Sequence, residues 1–261
     1  MRNNSNQSEI NPFPEGYPQE GLLEGRNALQ EALRSGRTID KVWVAAGDTD
    51  RNLARLTSEA KEQGAVVIPV DRRKLDSMSI THAHQGVIAL AAARPYATLD
   101  DIFALAESRG EAPLVVVCDE LSDPHNLGAI IRSAECAGAH GVVIPKRRSA
   151  GLTPVVAKAS AGAIEYMPVA RVSNISSALK ELQARGVWVY GTAADGTQEL
   201  FDANFQGPTA IVIGNEGAGM GRLVRQTCDV LVRIPMRGRI SSLNASAAAA
   251  ILLYEAVRQR K

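Results

Sequence analysis

Residues 211–223 read IVIGNEGAGMGRL and form the most informative stretch of the sequence. The stretch begins with three β-branched apolar residues, which are typical of a buried strand. Glycines follow at positions 214, 217, 219 and 221, and they indicate a backbone that turns sharply or lies directly against a ligand. A buried strand that runs into such a loop is typical of an α/β sheet, in which ligands bind beyond the carboxyl ends of the strands.

A similar alternation of strands and helices extends through the C-terminal half, which we take as one domain over residues 113–261. Apolar runs predict strands at 113–120, 141–145, 167–170, 186–193 and 209–214. Amphipathic patterns predict helices at 126–139, 174–186 and 243–261. Nearly continuous apolar strands between amphipathic helices indicate a largely parallel sheet that is covered on both faces.

The N-terminal half predicts a second, smaller α/β unit over residues 21–95. Helices are expected at 23–36, 51–64 and 72–79, and strands at 41–46, 65–70 and 86–93. About 75 residues suffice for a small domain. Residues 96–112 are interpreted as a linker that contains a short helix, and the polar residues 1–20 as a flexible tail.

The composition is that of a globular protein with a substantial core, since 45% of the 261 residues are hydrophobic. No apolar run has the length of a signal peptide or a membrane span. The three cysteines lie far apart, which suits a reducing compartment, so we expect a soluble cytoplasmic protein. The net charge is only +1, although from Pro113 onward 16 Lys and Arg outnumber 12 Asp and Glu. This excess weakly favours a polyanionic partner.

The spacing of the glycine-rich loop argues against a nucleotide-phosphate site. The pattern G-x-x-G-x-G-x-G matches neither the dinucleotide-binding motif nor the P-loop. Glu216 lies inside the loop, and its carboxylate would repel phosphates. Adenosine joined to an uncharged or cationic group is a better fit, which disfavours a nucleotide-dependent α/β enzyme.

Two further polar motifs also lie between a predicted strand and a helix. DPHNLGAIIRSAE spans 123–135, with Arg132 six residues after Asn126. A capped helix with a solvated arginine would explain this motif alone. RIPMRGRISSLN spans 233–244 and precedes a long alanine-rich helix. Helix capping would explain any one of its polar residues, but not why all three motifs occupy strand-to-helix junctions of one domain.

Taken together, these motifs resemble those of the SpoU (TrmH) RNA 2′-O-ribose methyltransferases of the SPOUT superfamily. The stretches 24–33, 83–90 and 143–163 also resemble the bacterial enzymes that methylate a guanosine of 23S rRNA. The resemblance implies S-adenosylmethionine as methyl donor and a trefoil knot in the C-terminal domain. It further implies a homodimer with the active site near the subunit interface, and an N-terminal RNA-binding domain similar to a small ribosomal protein.

The resemblance also implies roles for individual residues. The catalytic positions are Arg132, Asn126, Glu216, Ser242 and Asn244. The positions that bind the donor are Gly214, Ile234, Leu243, Thr192, Asn215, Gly217 and Met236. The positions that face RNA are Arg26, Asn27, His84, Gln85, Lys146, Arg147 and Arg148. Because guanidinium groups stay protonated in proteins, we interpret Arg132 as binding a phosphate and orienting the 2′-hydroxyl rather than as a simple base.

Three questions stay open at the level of sequence. The same chemistry could act on tRNA, although tRNA enzymes of this family often carry short basic extensions that this chain lacks. A catalytically silent RNA-binding assembly factor would be expected to have lost Arg132, Glu216 or Asn244, and all three are present. His82 and His84 could suggest a metal, but we expect none because no third ligand lies nearby.

Overall fold

The computed structural model describes residues 21–260, so the tail predicted at residues 1–20 lies outside the described residues. The strands are β1 (Leu22–Glu24), β2 (Ile39–Ala45), β3 (Val66–Val70), β4 (Val87–Ala91), β5 (Leu114–Cys118), β6 (Gly141–Pro145), β7 (Val169–Val172), β8 (Trp188–Thr192), β9 (Gln198–Glu199), β10 (Thr209–Ile213) and β11 (Val230–Arg233). The helices are α1 (Arg26–Arg34), α2 (Arg51–Glu62), α3 (Arg72–Met78), α4 (Leu99–Arg109), α5 (Pro124–Cys136), α6 (Pro154–Ala159), α7 (Ile175–Ala184), α8 (Arg222–Thr227) and α9 (Ala245–Gln259). Short 3-10 turns lie at Ala163–Glu165 and Leu200–Asp202.

The larger sheet confirms the predicted α/β architecture. Its strand order is β7-β6-β5-β10-β8-β11-β9, and neighbouring strands are parallel throughout. The two faces of β5 illustrate the layers: Val116 packs into the core that includes α5 and α9, whereas Val115 and Val117 pack into the core that includes α4 and α7. Both faces are therefore covered, which explains why the central strands β5 and β10 are almost entirely apolar.

The smaller sheet has the order β1-β4-β2-β3 and mixes antiparallel and parallel pairs. One prediction within it was wrong: the expected helix at 23–36 begins only at Arg26. The preceding residues form β1, which pairs with β4 in antiparallel fashion. Gly25 separates the two elements with a φ of 97°, a backbone conformation that side chains rarely allow.

The stretch predicted as a linker, residues 96–112, contains α4. The buried side chains of Leu99, Ile102 and Ala106 belong to this helix, and Leu99 and Ile102 pack in the core on one face of the larger sheet. This part of the chain therefore contributes to the larger unit instead of only joining the two. The predicted domain boundaries and the trefoil knot stay predictions.

Strand β11 and the short strand β9 add to the strands predicted from the sequence. Strand β11 pairs with β8 and β9, so it places the segment after Arg233 at the same edge of the sheet as the glycine-rich loop. In the described part of the chain, no helix is both long and apolar enough to cross a membrane.

Candidate functional site

The carboxyl ends of β5, β8, β10 and β11 lie side by side in the larger sheet. Since all four strands are parallel, the loops that follow them converge at one edge. A cavity of about 830 Å³ opens there, a volume within the range of small-molecule sites. Its walls include all seven residues predicted to bind the methyl donor: Thr192, Gly214, Asn215, Gly217, Ile234, Met236 and Leu243.

The glycine-rich loop is folded tightly by its own backbone. The amide of Asn215 donates to the carbonyl of Gly219 at 3.0 Å, and the amide of Gly219 donates back at 2.9 Å. The side-chain oxygen of Asn215 accepts from the amide of Gly217 at 3.0 Å. A Cβ on Gly214 would lie only 2.4 Å from the backbone of Gly219 and of Met220. Position 214 therefore requires glycine for this turn to form.

Asp119, which was not among the residues predicted from the sequence, anchors the far end of this loop. Its carboxylate accepts a hydrogen bond from the amide of Gly221 at 2.8 Å and is only 4% exposed. Burial raises the pKa of Asp119 above its usual range, although the bond from Gly221 opposes this effect. Its position gave a usable signal, because Asp119 is the first charged residue after the apolar strand β5.

Asn126 connects the three sequence motifs through its side-chain amide. The nitrogen donates to the carboxylates of Asp123, at 3.1 Å, and of Glu216 in the glycine-rich loop. Its oxygen accepts from the amide nitrogen of Asn244 at 2.8 Å. Asn126 itself is 8% exposed, whereas its partners Glu216 and Asn244 are exposed, so the network lies at the boundary between the core and solvent. The structure thus brings three of the five predicted catalytic residues into one network.

Asn244 has a second role, the helix capping that its sequence position indicated. Its side-chain oxygen accepts from the amides of Ser246, at 3.0 Å, and of Ala247, at 3.3 Å, at the start of α9. Ser242 lies on the cavity wall and is exposed. One side chain of the third motif therefore serves both the helix and the polar network.

Arg132 lies apart from the cavity. It is exposed on α5 and does not line the cavity wall. Within residues 21–260 its guanidinium has no hydrogen bond or ion pair. The side chain is therefore free to bind an anion from outside this chain.

Two of the arginines on the cavity wall, Arg225 and Arg233, are already paired with carboxylates. Arg225 binds Asp195 through two hydrogen bonds of 2.9 Å, and the pKa of Asp195 is lowered mainly by these bonds. Arg233 pairs with Glu199 at 3.0 Å. These arginines are consequently less available to a phosphate ligand in the cavity than their charge suggests.

The residues predicted to face RNA in the smaller unit differ in exposure. Asn27 and Gln85 are exposed. Arg26 pairs with Asp50 at 2.6 Å, and its Nε donates to the carbonyl of Gln85 at 3.0 Å. The prediction for His84 needs correction, since its ring is 4% exposed and contacts Asp76 and the amide of Gly86. His84 therefore shapes the loop and does not present its ring to a ligand.

The basic cluster Lys146, Arg147 and Arg148 follows β6 and is exposed. Arg148 pairs with Glu120 at 3.1 Å, and the carbonyl of Glu120 accepts from the side-chain amide of Asn215 at 3.0 Å. The cluster is thereby linked to the glycine-rich loop through a single residue. Its exposure suits contact with a phosphate backbone.

The thiols of Cys118 and Cys228 have strongly raised pKa values. Burial raises the pKa of the Cys118 thiol to about 12, and the Cys228 thiol has a pKa of about 12 for the same main reason. Both thiols therefore stay protonated at neutral pH. Across residues 21–260, no group of three or more His, Cys, Asp and Glu side chains is placed to hold a metal ion.

Two family models match the chain over adjacent segments. The model described as the SpoU rRNA Methylase family matches residues 113–254. The model described as RNA 2′-O ribose methyltransferase substrate binding matches residues 22–97. Together they account for most of the described residues.

Similar proteins cover nearly the whole chain. YacO of Bacillus subtilis, assigned to the TrmH family of tRNA/rRNA methyltransferases, is 49% identical over 93% of this chain and 97% of its own. The 23S rRNA (guanosine-2′-O-)-methyltransferase RlmB of Ralstonia nicotianae is 46% identical over 92% and 96%. The crystal structure of the SpoU methyltransferase AviRb of Streptomyces viridochromogenes, in complex with AdoMet, superposes with a TM-score of 0.80 at 31% identity, over 93% and 91%.

The network around Asn126 leads to a pH-dependent prediction. Asn126→Asp places a carboxylate against those of Asp123 and Glu216, and we expect it to lower the free energy of unfolding by about 3 kcal/mol at pH 7. The repulsion raises the folded-state pKa of the introduced carboxyl above its unfolded value. The loss should therefore be smallest near pH 4 and grow as the pH rises. Urea denaturation between about pH 4 and pH 7.5 measures it.

The matched control is Asn52→Asp, on the exposed surface of α2 beside Arg55. It should change the free energy of unfolding by less than about 0.5 kcal/mol at any of these pH values. Equal effects of the two substitutions would show that the neighbouring carboxylates do not cause the loss of unfolding free energy at position 126.

Proposed function

The chain belongs to the SpoU family of RNA methylases, and on this basis we propose that it methylates the 2′-hydroxyl of a guanosine in 23S rRNA. Family membership makes it an S-adenosylmethionine-dependent RNA 2′-O-ribose methyltransferase. The narrower target is supported by RlmB, whose name specifies a guanosine of 23S rRNA. The observation that carries the proposal is the meeting of the three motifs through Asn126, beside a cavity lined by residues of the second and third motifs. We place the reaction in the cytoplasm, as the cysteine pattern suggests.

The cavity residues fit the methyl donor. Ile234, Met236 and Leu243 offer apolar walls for an adenine, and the close backbone packing at Gly214 leaves main-chain groups facing the ligand. Glu216 contributes a carboxylate to the wall, which favours a cationic ligand over a phosphate. When bound, S-adenosylmethionine supplies a methyl group carried on a positively charged sulfur.

The residues of this chain would act mainly by alignment. Transfer of the methyl group requires the ribose oxygen to lie in line with the breaking carbon–sulfur bond, so positioning provides much of the rate. Asn126 holds Glu216 and Asn244 in place through its two-sided hydrogen bonding. The guanidinium of Arg132, which has no partner within residues 21–260, binds the phosphate next to the target ribose and orients the hydroxyl. Exposed Asn27, Gln85 and the Lys146–Arg148 cluster hold more distant parts of the RNA.

We also propose a homodimer formed through α5 and α9. The two helices pack against each other, and each leaves one face exposed. On α9 this face carries Ile251 and Tyr254, which are 38% and 54% exposed, and on α5 it carries Arg132 and Cys136. Large exposed apolar side chains on a packed helix are typical of an interface. Since Arg132 does not line the cavity of its own chain, a reaction centre between two copies would account for its position.

For the catalytic role, we predict that Arg132→Ala lowers the rate of methyl transfer by at least about 100-fold, because the phosphate and hydroxyl lose their anchor. Donor affinity should stay within about twofold, since Arg132 lies outside the cavity wall. Transfer of a labelled methyl group and calorimetric titration of the donor measure the two quantities. Arg109→Ala, at the exposed end of α4, is the control and should retain full activity. Near-normal transfer by Arg132→Ala would exclude this role.

For the target, we predict that one guanosine of 23S rRNA loses its 2′-O-methyl group when the gene is deleted and regains it on complementation. Mapping of ribose methylation across rRNA and tRNA in both strains measures this outcome. Complementation with the Arg132→Ala variant should fail to restore the modification. Loss of a tRNA methyl group, with rRNA unchanged, would move the assignment to tRNA.

For the dimer, we predict that Ile251→Glu yields a folded monomer, because two buried carboxylates would face each other across a symmetric interface. Light scattering coupled to size-exclusion chromatography measures the mass. Lys180→Glu, on the exposed side of α7, should remain dimeric. A wild-type protein that is monomeric at micromolar concentration would rule out this arrangement.

A further inference from the structure

Lys158 joins the two units of the protein through a pair of hydrogen bonds. It lies on α6 of the larger unit, and its ammonium donates to the hydroxyl of Thr81, at 3.1 Å, and to the carbonyl of Ala83. Both acceptors belong to the loop 79–86, which connects α3 to β4 in the smaller unit. Burial lowers the pKa of Lys158, and the nearby carboxylate of Glu24 opposes that shift. The contact is therefore partly shielded from solvent. Hydrogen bonds are stronger in such surroundings than in water.

The same loop is anchored from within the smaller unit by Glu24. This carboxylate is 1% exposed and accepts hydrogen bonds from the hydroxyl of Ser79, at 2.6 Å, and the amide of Ile80, at 2.6 Å. It also accepts from the amide of Thr81 at 3.1 Å. Thr81 is therefore held by Glu24 on one side and by Lys158 on the other.

Beyond Thr81 the loop adopts conformations that its sequence does not favour. His82 and Gln85 have φ values of 52° and 53°, in the left-handed region that non-glycine residues rarely occupy. Such conformations persist only where the surroundings fix them. Gln85 is exposed and is one of the residues predicted to face RNA. The bond from Lys158 to Ala83 fixes the backbone between these two strained positions.

Helix α6, which carries Lys158, also packs tightly on α5, the helix that carries Arg132. Helix α6 packs on α5 at Gly128, where a Cβ would lie 2.5 Å from that of Ala159 and 2.8 Å from the carbonyl of Val156. The two helices therefore touch backbone to backbone, with no flexible side chain between them. A path of fixed elements runs from the loop 79–86 through α6 to Arg132.

A second contact restrains the same interface. Glu165, whose side chain is 1% exposed, pairs with Arg37 of the smaller unit at 2.7 Å and with Arg94 at 3.4 Å. Apolar side chains of both units also belong to one continuous core, as Leu29 and Met167 illustrate. Because Glu165 and the shared core restrain the interface as a whole, the hydrogen bonds of Lys158 act mainly on the loop 79–86.

We propose that Lys158 is a positioning residue for methyl transfer, which fixes the RNA-facing loop 79–86 relative to Arg132. This inference rests on the proposed function. If the RNA-facing surfaces of both units are already held in place, one RNA can bind to both at a lower cost in conformational entropy. Without the bonds from Lys158, an RNA held by both units must order the loop as it binds. The Michaelis constant for RNA therefore rises, whereas the turnover of the fully bound RNA changes little.

The test compares Lys158→Met with Lys158→Arg, which keeps the donor groups, and with Lys180→Met on exposed α7 as control. We expect Lys158→Met to raise the KM for a 23S rRNA fragment about tenfold, as expected for a lost charge-assisted hydrogen bond. Its kcat and its affinity for S-adenosylmethionine should stay within about twofold. Lys158→Arg should recover most of the loss, and Lys180→Met should match the wild type.

Hydrogen–deuterium exchange of the same variants provides a readout that does not depend on activity. Amides of residues 79–86 should exchange faster in Lys158→Met, while those of β5 and β10 stay unchanged. Unchanged exchange in this loop, or faster exchange with an unchanged KM, would overturn the proposal. If the wild type methylates no RNA, the proposed function fails, and the exchange data alone then decide whether Lys158 fixes the loop.

Discussion

The side-chain amide of Asn126 stands between the carboxylate of Glu216 and the amide of Asn244. A side-chain amide can donate on one side and accept on the other without carrying charge. A carboxylate at this position would repel Glu216, and an apolar side chain could make neither the bond to Glu216 nor the bond from Asn244. The three motifs keep their mutual geometry because this uncharged, two-sided group lies at their meeting point.

The meeting point exists only because of the strand order. Strand β10, which comes late in the chain, pairs in parallel with both β5 and β8. The loop after β5 and the loop after β10 thereby become neighbours although about ninety residues separate them, as the bond between Asn126 and Glu216 records. Glycines at 214 and 219 then let the second loop fold close enough to reach Asn126.

The cavity and Arg132 are separate features of the described structure. The cavity is lined by backbone groups, apolar side chains and polar residues that include two ion pairs. Arg132 is exposed on α5, has no ion pair within residues 21–260 and does not line the cavity wall. Under the proposed function, the residues for the methyl donor and those for RNA approach the reaction from different directions, so a fixed arrangement of helices must align them. In that proposal, the tight contact between α5 and α6 at Gly128 contributes to the alignment.

The sequence by itself determined the alternation of strands and helices and the placement of polar motifs at strand ends, because apolar periodicity and glycine are local signals. Through the family resemblance it also pointed to seven of the residues that line the cavity. Only the tertiary structure decided that His84 is buried, that Arg26 is paired with Asp50 and that Asp119 anchors the glycine-rich loop. These outcomes depend on which strands become neighbours and on partners that are distant in the chain. A local pattern of residues predicts neither the strand order nor the distant partners.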